Sequence, residues 1–174
     1  MSPVNQTPPD TDNYQVGGVI IVLGGLDLGN VAGFGIDPSD VEVLQHFSAR
    51  TGSRKVDKQI VVQKRLTFRA TLDEHQADLY GKYFMGDVVD AGDKVTPLTN
   101  PLAESNILIT YLNEDGTIWT YSHSRVTVRP SGAMDFGDFS DFVGYEIEIE
   151  SLQDEDASPI DGVTPTHGVF DFGS

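Results

Sequence analysis

The sequence predicts a mainly β fold, an antiparallel β-sandwich or barrel with one flanking α-helix, and three observations support this. Apolar and polar residues alternate with the two-residue period of a half-buried strand, most clearly over residues 143–152. Gly, Asn, Asp and Pro residues separate such runs at short intervals and are typical of turns. Only residues 74–85 show the period of an amphipathic helix. Many short strands and one helix indicate a sandwich or barrel with the helix on its flank.

The first part of the chain divides into an arm and three strands. Residues 1–16 contain three prolines, and we expect them to form a flexible N-terminal arm. A single β-domain then covers residues 17–152 and begins with a glycine-bounded buried strand in GGVIIVLGG. Residues 31–36 are a second strand, which an Asp-Pro pair closes, and residues 40–48 alternate as a third.

A charged segment and a long strand follow. Residues 49–58, with the sequence ARTGSRKVDK, are polar and charged, so we expect an exposed loop that joins two strands. Residues 59–72 are predicted as one strand, because their second half alternates cleanly. Leu66 and Phe68 fall on one face, with Arg65 on the other.

The single helix is predicted over residues 74–85. Asp73 is a favourable N-cap residue, and Gln76 three positions later completes a partial capping box. One face of the helix follows the i, i+3, i+7 spacing and is expected to pack against the sheet, with Leu79 and Tyr83 widening it. The residues of this packing face are Ala77, Tyr80 and Phe84.

The remaining chain alternates between loop and strand. Residues 87–105 contain Gly and Pro and are predicted as a long loop with little structure. The turn sequence Asn-Glu-Asp-Gly predicts a hairpin over residues 106–124, followed by a strand over residues 125–129. After the last strand, 143–152, residues 153–174 are acidic and punctuated by Pro and Gly, and we expect a mobile C-terminal tail.

Charge is distributed very unevenly along the chain, whose formal net charge is −16. Residues 1–49 and 130–174 contain no Lys or Arg, and seven of the eleven basic residues fall within residues 50–69. Such acidity excludes a protein that grips nucleic acid through its phosphates. A basic segment between two acidic ones lets copies of the chain attract one another head to tail. The alternative is that the acidity serves only solubility or a saline habitat.

No pattern of catalytic, metal-binding or cofactor-binding residues is present. The chain has no cysteine, its four histidines lack metal-ligand spacing, and it has neither a nucleophile elbow nor a phosphate-binding loop. We therefore expect no enzyme activity and no cofactor. The N-terminal residues lack the features of a secretory signal, and no apolar run is long enough for a membrane span, so we expect a soluble protein made in the cytoplasm.

The order of these elements, together with several short strings, resembles the major tail tube proteins of long-tailed, siphovirus-like bacteriophages. The strings are Leu-Gly-Asn-Val at 28–31, the charged loop Thr51–Asp57, Leu-Asp-Glu at 72–74 and GYEIEIE in the last strand. The resemblance covers residues 17–152. The segment 87–105 and the tail 153–174 depart from the family pattern, so nothing is carried over to them.

The resemblance implies a virion structural protein without catalytic activity. In that family six subunits form a ring whose sheets join into one inner barrel, and the rings stack into a tube. A long loop, here Phe47–Gln59, reaches the next ring. The inter-ring residues implied here are Arg50, Thr51, Arg54, Lys55, Asp57 and Lys58. The implied partners are copies of itself, a tape-measure protein, and tail-end completion and baseplate proteins. DNA passes through the bore without specific binding, and the tube assembles in the host cytoplasm and remains in the virion tail.

The last strand is the best candidate for the wall of the bore. Glu146, Glu148 and Glu150 form the most acidic strand face of the chain, and an acidic bore would repel DNA. The competing interpretation is that these residues pair across the sheet with Arg125 and Arg129, as on an ordinary outer face. We expect the other arginines of the region, at 65 and 69, to be neutralised or to point away from the bore.

A rival function is an extracellular β-sandwich binding module, such as a carbohydrate-binding or adhesin-like domain. Trp119 and Tyr121 fall on one face of their hairpin, and exposed aromatic side chains on a flat strand face would favour that function. The lack of a signal peptide opposes it.

Overall fold

The computed structural model describes residues 17–38, 41–48, 55–101, 103–113, 116–134 and 144–172. These form antiparallel strands with one α-helix, which confirms the predicted fold class. The elements are β1 (Gly17–Leu23), β2 (Leu26–Asp27), β3 (Val31–Asp37), β4 (Val41–Ser48), β5 (Lys55–Lys64), β6 (Thr67–Leu72), α1 (Ala77–Tyr83), β7 (Asp87–Val89), β8 (Lys94–Thr96), β9 (Glu104–Asn113), β10 (Ile118–Pro130), β11 (Tyr145–Ser151) and β12 (Val169–Asp171).

One large antiparallel sheet, in the order β2-β1-β9-β10-β11-β6-β3, organises the described chain. The long strand β10 belongs to both halves of this sheet. Its first part pairs with β9 and, on its other edge, with β12, whereas its last part pairs with β11. A bulge between His123 and Val126 separates the two parts, and bulges bend and twist a strand. The sheet therefore folds over on itself as two layers of a sandwich.

Side chains from both layers meet in one apolar core. Phe34 of β3 lies edge-on to Tyr111 of β9, and Phe68 of β6 contacts Tyr121 of β10. Burying a side chain of this size contributes about 1.5–3 kcal/mol to folding. The buried members of the core are Ile21, Leu23, Leu28, Phe68, Ala70, Leu72, Leu79, Tyr83, Ile107, Ile109, Tyr111, Tyr121, Val126, Tyr145, Ile147 and Ile149.

The helix is shorter than the predicted 74–85 and begins at Ala77, with Gln76 at the N-cap and no side-chain cap. Asp73 does not cap it, because its carboxylate accepts hydrogen bonds from the Asn30 side-chain amide at 2.7 and 2.8 Å. Leu79 and Tyr83 are the buried side chains of α1.

The helix-packing residues predicted from the sequence take three different positions. Ala77 is half-buried in the first turn, and Tyr80 is half-buried against the core, with its ring next to that of Tyr145. Phe84 follows the last helical residue and is 37% exposed, and its ring contacts those of Tyr80 and Tyr83.

Three further segments differ from the prediction. Residues 59–72 are not one strand, because the chain leaves β5 at Lys64 and enters the main sheet as β6. The segment 87–105 contains the hairpin β7–β8 rather than an unstructured loop. The acidic segment after β11 is not a free tail over its described length, since β12 pairs with β10.

Candidate assembly surfaces

The strands β4 and β5 form a separate two-stranded sheet, which we call the ribbon. Apolar side chains lie on both of its faces. Val43 pairs with Val61 on one face, and Leu44 pairs with Ile60 on the other. All of the large apolar residues described on the ribbon are at least 40% exposed, namely Val41, Val43, Leu44, Phe47, Val56, Ile60 and Val61.

An isolated two-stranded ribbon is marginally stable in water, and neighbouring exposed apolar side chains mark a surface that another molecule covers. The ribbon also includes part of the segment that was predicted from the sequence to be an inter-ring loop. Lys55, Asp57 and Lys58 lie in β5, so this part of the segment is strand and not loop. Arg50, Thr51 and Arg54 lie outside the described residues.

A second surface with exposed apolar side chains lies on the side of β1, β9 and the first part of β10 that faces away from the core. We call it the apolar face. Its exposed large side chains are Ile20, Leu108, Leu112 and Ile118. The strand registers place these residues in three cross-strand rows with threonine, serine and glycine. The charged residues in these rows are Asp27 on β2 and Asp171 on β12, which lie on the strands at the two sides of this face.

A groove of about 720 Å³ crosses one end of the apolar face. Its floor is a single cross-strand row, in which Val22, Leu108, Ser122 and Val169 are register neighbours on four successive strands. The segment that leads into β12 forms a wall with Ala157 and Pro165, and Asn106 and Ser124 line the next row.

The rim of this groove is acidic. The Ser124 hydroxyl donates a hydrogen bond to the Asp154 carboxylate, and this bond lowers the pKa of Asp154 below its ordinary value. The other oxygen of Asp154 accepts the backbone N–H of Asp156 at 3.1 Å. Residues 152–172 contain five Asp and Glu and no Lys or Arg. No Asp or Glu lines the groove itself, but Ser124 holds the Asp154 carboxylate at its rim, where Arg125 also acts on Asp154.

The outward-facing side of β11 and its neighbouring strands carries both acidic and basic side chains, which form ion pairs. Glu148 lies 3.5 Å from Arg69 and also pairs with Arg129, and Glu150 lies 3.2 Å from Arg65. The side chain of Glu148 is only 12% exposed, whereas that of Arg129 is 53% exposed. The guanidinium groups therefore lie outermost.

These contacts bring most of the predicted lumen residues into ion pairs. The alternative pairing across the sheet occurs for Arg129, while Arg125 pairs instead with Glu104 at 2.9 Å. That hydrogen bond lowers the pKa of Glu104. Glu146 accepts a hydrogen bond from the Ser131 hydroxyl. The arginines that the sequence analysis expected to be neutralised, Arg65 and Arg69, have carboxylate partners.

The C-terminal segment is attached to β10 by buried polar contacts that the sequence did not indicate. The hydroxyl of Tyr121 donates to the carbonyl oxygen of His167 at 2.6 Å, and His167 Nδ1 lies 3.2 Å from Ser151 Oγ. Gly168 has φ +86°, and a Cβ atom there would meet the Tyr121 hydroxyl and the Ser122 carbonyl at 2.6 Å. A glycine before a short acidic strand is a weak sequence signal, and nothing in the sequence marks its partner strand.

The side chains of Ser151 and His167 form a Ser–His contact within hydrogen-bond distance. Ser151 is buried, and its Oγ also accepts the Leu66 backbone N–H at 3.2 Å. Burial, and then His123 and Lys64, lower the pKa of His167. The pair therefore joins β11, β6 and the C-terminal segment through a hydrogen-bonded network.

The aromatic residues that suggested a binding module do not form an exposed platform. Tyr121 is fully buried in the core, and Trp119 packs partly against the core and edge-on to Phe172 at a ring distance of 5.2 Å. The hairpin turns its aromatic face inward because these residues share a side with the buried Ile109.

Within the described ranges, no group of three or more His, Asp and Glu side chains is arranged to hold a metal ion. The same part of the chain contains no helix with the length and apolar character needed to cross a membrane.

No protein-family model matches the chain, and no curated protein matches it in sequence. The solved structures that are similar to it include two determined by cryo-EM. One is the anti-feeding prophage cap, a tube terminating cap, with 14% identity, a TM-score of 0.45, and coverage of 86% of this chain and 94% of that chain. The other is the PVC sheath-tube complex of an extracellular contractile injection system in its extended state, with 14% identity, a TM-score of 0.41, and coverage of 78% and 84%. At these values, the similarity carries no functional argument.

Proposed function

We propose that this protein is a structural subunit of a phage-type tail tube and works by assembling with copies of itself. The ribbon carries this proposal. It exposes apolar side chains on both faces, and a marginally stable ribbon of this kind gains order and buries apolar surface when neighbouring subunits cover it. The sequence resemblance to tail tube proteins supports the same function.

Open strand edges favour assembly by sheet extension. Among the described residues, β3 pairs only with β6, and Gly17–Ile20 of β1 pair only with β9. Unpaired edges present free backbone N–H and C=O groups, which the strand of another chain can satisfy. Such pairing would join the sheets of neighbouring subunits into a ring.

The finer parts of the proposal follow the tail tube resemblance. The rings are hexamers that stack into a tube, enclose a tape-measure protein during assembly and pass DNA during infection. The subunit has no catalytic role, is assembled in the host cytoplasm and remains in the virion tail, where end-completion and baseplate proteins are its further partners. Glu146, Glu148 and Glu150 stay the candidate bore residues. Because the arginine partners of Glu148 and Glu150 lie outermost, we expect a bore wall of balanced rather than strongly negative charge.

The test compares wild type with Leu44→Glu by light scattering and negative-stain microscopy. We expect rings or tubes from wild type, and folded monomers from Leu44→Glu, since a carboxylate on the ribbon cannot be buried there without a partner. Leu98→Glu is the matched control, because Leu98 is 65% exposed and lies outside the ribbon. Wild type that remains monomeric at millimolar concentration, or tubes from Leu44→Glu, would contradict the proposal.

A further inference from the structure

We infer that the groove at the end of the apolar face is the receptor for the ribbon of a second copy of this chain. The inference rests on the proposed self-assembly and adds to it the surface that receives the ribbon. The partner is thus a two-stranded, apolar and basic segment. The receiving residues are the Val22, Leu108, Ser122 and Val169 row and the acidic wall beside it.

The first argument is reach. β5 has ten residues, so the ribbon extends about 30 Å at roughly 3.3 Å per residue. At its base, the chain passes from β5 into β6, where the Leu66 backbone N–H binds Ser151 beside the C-terminal segment. A ribbon of this length carries its exposed apolar pairs away from its own sheet and toward a neighbouring subunit.

The second argument is the match of apolar surfaces. The floor of the groove has Leu108 44% exposed, with valines on the strands β1 and β12. Neither Lys nor Arg lines the groove. On the ribbon, Leu44 and Ile60 form an exposed apolar pair on one face. Docking that pair onto the Leu108 row would remove apolar area from water on both surfaces, at about 25 cal/mol per Å².

The third argument is charge complementarity. The ribbon strands β4 and β5 contain three Lys against two acidic residues, whereas residues 152–172 contain five acidic residues and no Lys or Arg. Complementary charges guide association and fix its register. The ribbon and the wall of the groove therefore attract one another, while two copies of the acidic wall repel.

The fourth argument is spacing. Along the ribbon, the Leu44–Ile60 pair is followed two residues later, on the same face, by His46 and Lys58. In the groove, the Leu108–Ser122 row is followed two residues later by Asn106 and Ser124, the residue that binds Asp154. Two residues along a strand span about 7 Å. On both surfaces, a polar row thus lies about 7 Å from the row that carries a leucine. On the ribbon the polar row contains Lys58, and in the groove it contains Ser124, which holds the Asp154 carboxylate.

Cysteine cross-linking tests this contact, because the chain has no native cysteine. Leu44→Cys and Leu108→Cys variants are mixed before assembly and treated with a short bis-maleimide, and cross-linked dimers are counted on a denaturing gel. We expect at least a tenfold higher yield for this pair than for Leu44→Cys mixed with Leu98→Cys, whose second site lies outside the groove. Microscopy before cross-linking shows whether tubes have formed.

The two possible failures are distinguishable. Tubes without excess 44–108 cross-links would overturn the groove assignment and leave the proposed assembly intact. Absence of any assembly in wild type would remove the proposed function and this inference together.

A charge exchange provides an independent measurement. Lys58→Glu is expected to raise the critical assembly concentration about tenfold, and adding Asp154→Lys in the same chain is expected to restore it, because the pair is then reversed. If Asp154→Lys does not restore assembly of Lys58→Glu, the charge contact assigned to the groove is wrong. Restored assembly supports the charge contact. If the two substitutions acted only by damaging the fold, their effects would add and the double variant would assemble less well than either single variant.

Discussion

At the scale of single residues, three buried tyrosines show how differently the same hydroxyl can be used. Tyr145 donates to the carbonyl oxygen of Glu74 at 2.9 Å, and Tyr121 donates to that of His167. The hydroxyl of Tyr111 has no hydrogen-bond partner among the described residues, and burial raises the pKa of Tyr111 to about 12. A buried hydroxyl without a partner loses its hydration without compensation.

Phenylalanine substitutions separate these cases. Tyr145→Phe should lower the free energy of unfolding by about 1 kcal/mol, because the Glu74 carbonyl loses its donor. Tyr111→Phe should be neutral or stabilising by up to about 1 kcal/mol, since it removes an unsatisfied group. Urea unfolding at pH 7 measures both values. Equal destabilisation by the two substitutions would show that the Tyr111 hydroxyl has a partner.

A second prediction at this scale concerns His167. Burial lowers its pKa from 6.5, so the folded state favours the neutral ring, and the contribution of this ring is complete above pH 6.5. That contribution is lost as the pH falls through the lowered folded pKa. His123 and Lys64 lower the pKa of His167 in the same direction as burial, and the Ser151 hydroxyl lies within hydrogen-bond distance of the His167 ring.

We therefore expect the attachment of the C-terminal segment to weaken on acidification from pH 7.5 to pH 5. Amide exchange of β12 measures this, because its hydrogen bonds to β10 open when the segment detaches. In His167→Gln, exchange of β12 should lose its pH dependence beyond the intrinsic chemical rate. His46→Gln, in the exposed ribbon, should keep it. An unchanged acid response in His167→Gln would exclude His167 as its source.

At the scale of elements, the helix α1 shows how burial and helical periodicity can differ. Leu79 is almost completely buried, while Phe84 lies past the helix end and keeps more than a third of its surface exposed. Leu79→Ala should lower the free energy of unfolding by about 2–4 kcal/mol, and Phe84→Ala by about 1 kcal/mol or less. Denaturant unfolding compares the two. A larger loss for Phe84→Ala would mean that its ring anchors the helix.

The sequence predicts best those strands in which the alternation of apolar and polar residues matches the burial of their side chains in the folded protein. In β11, Tyr145, Ile147 and Ile149 are buried and the glutamates between them face outward, as the two-residue period predicts. Residues 59–72 fail that test, because the change from ribbon to sheet at Lys64–Leu66 depends on the contact between Leu66 and Ser151, 85 positions away. Local patterns contain no information on such a partner.

The candidate assembly surfaces were likewise only partly predictable from the sequence. A basic segment between acidic ones is visible in the composition, and it predicts an interaction between copies without locating the receiving surface. The groove forms only when β12 pairs with β10 and places Val169 beside Ser122. The exposure of the guanidinium groups above Glu148 and Glu150 also depends on cross-strand pairing, so the strand pattern alone could not reveal it.

At the scale of the whole molecule, the proposed tail tube function requires a surface that does not bind DNA, and this requirement depends on charge balance. The chain has a net charge of −16, yet three of its eleven basic residues, Arg65, Arg69 and Arg129, lie together on one outer surface. Glu148 and Glu150 form ion pairs with all three of these guanidinium groups. Carboxylates held this close keep the arginines from exchanging their partners for DNA phosphates, which would release counterions and bind the DNA.

Replacing both carboxylates by amides should convert this surface into a DNA-binding patch. Wild type should not retard duplex DNA at 50 mM salt, whereas the double variant Glu148→Gln with Glu150→Gln should bind it. Its log–log salt slope should be about −2.7, for three phosphates at roughly 0.9 each. Glu104→Gln is the control, because it frees only Arg125 and should change the slope by no more than about −0.9. In assembled tubes, retention of DNA by the double variant alone would place this surface in the bore. Binding by the free subunit without retention in tubes would place the arginines in a contact between subunits.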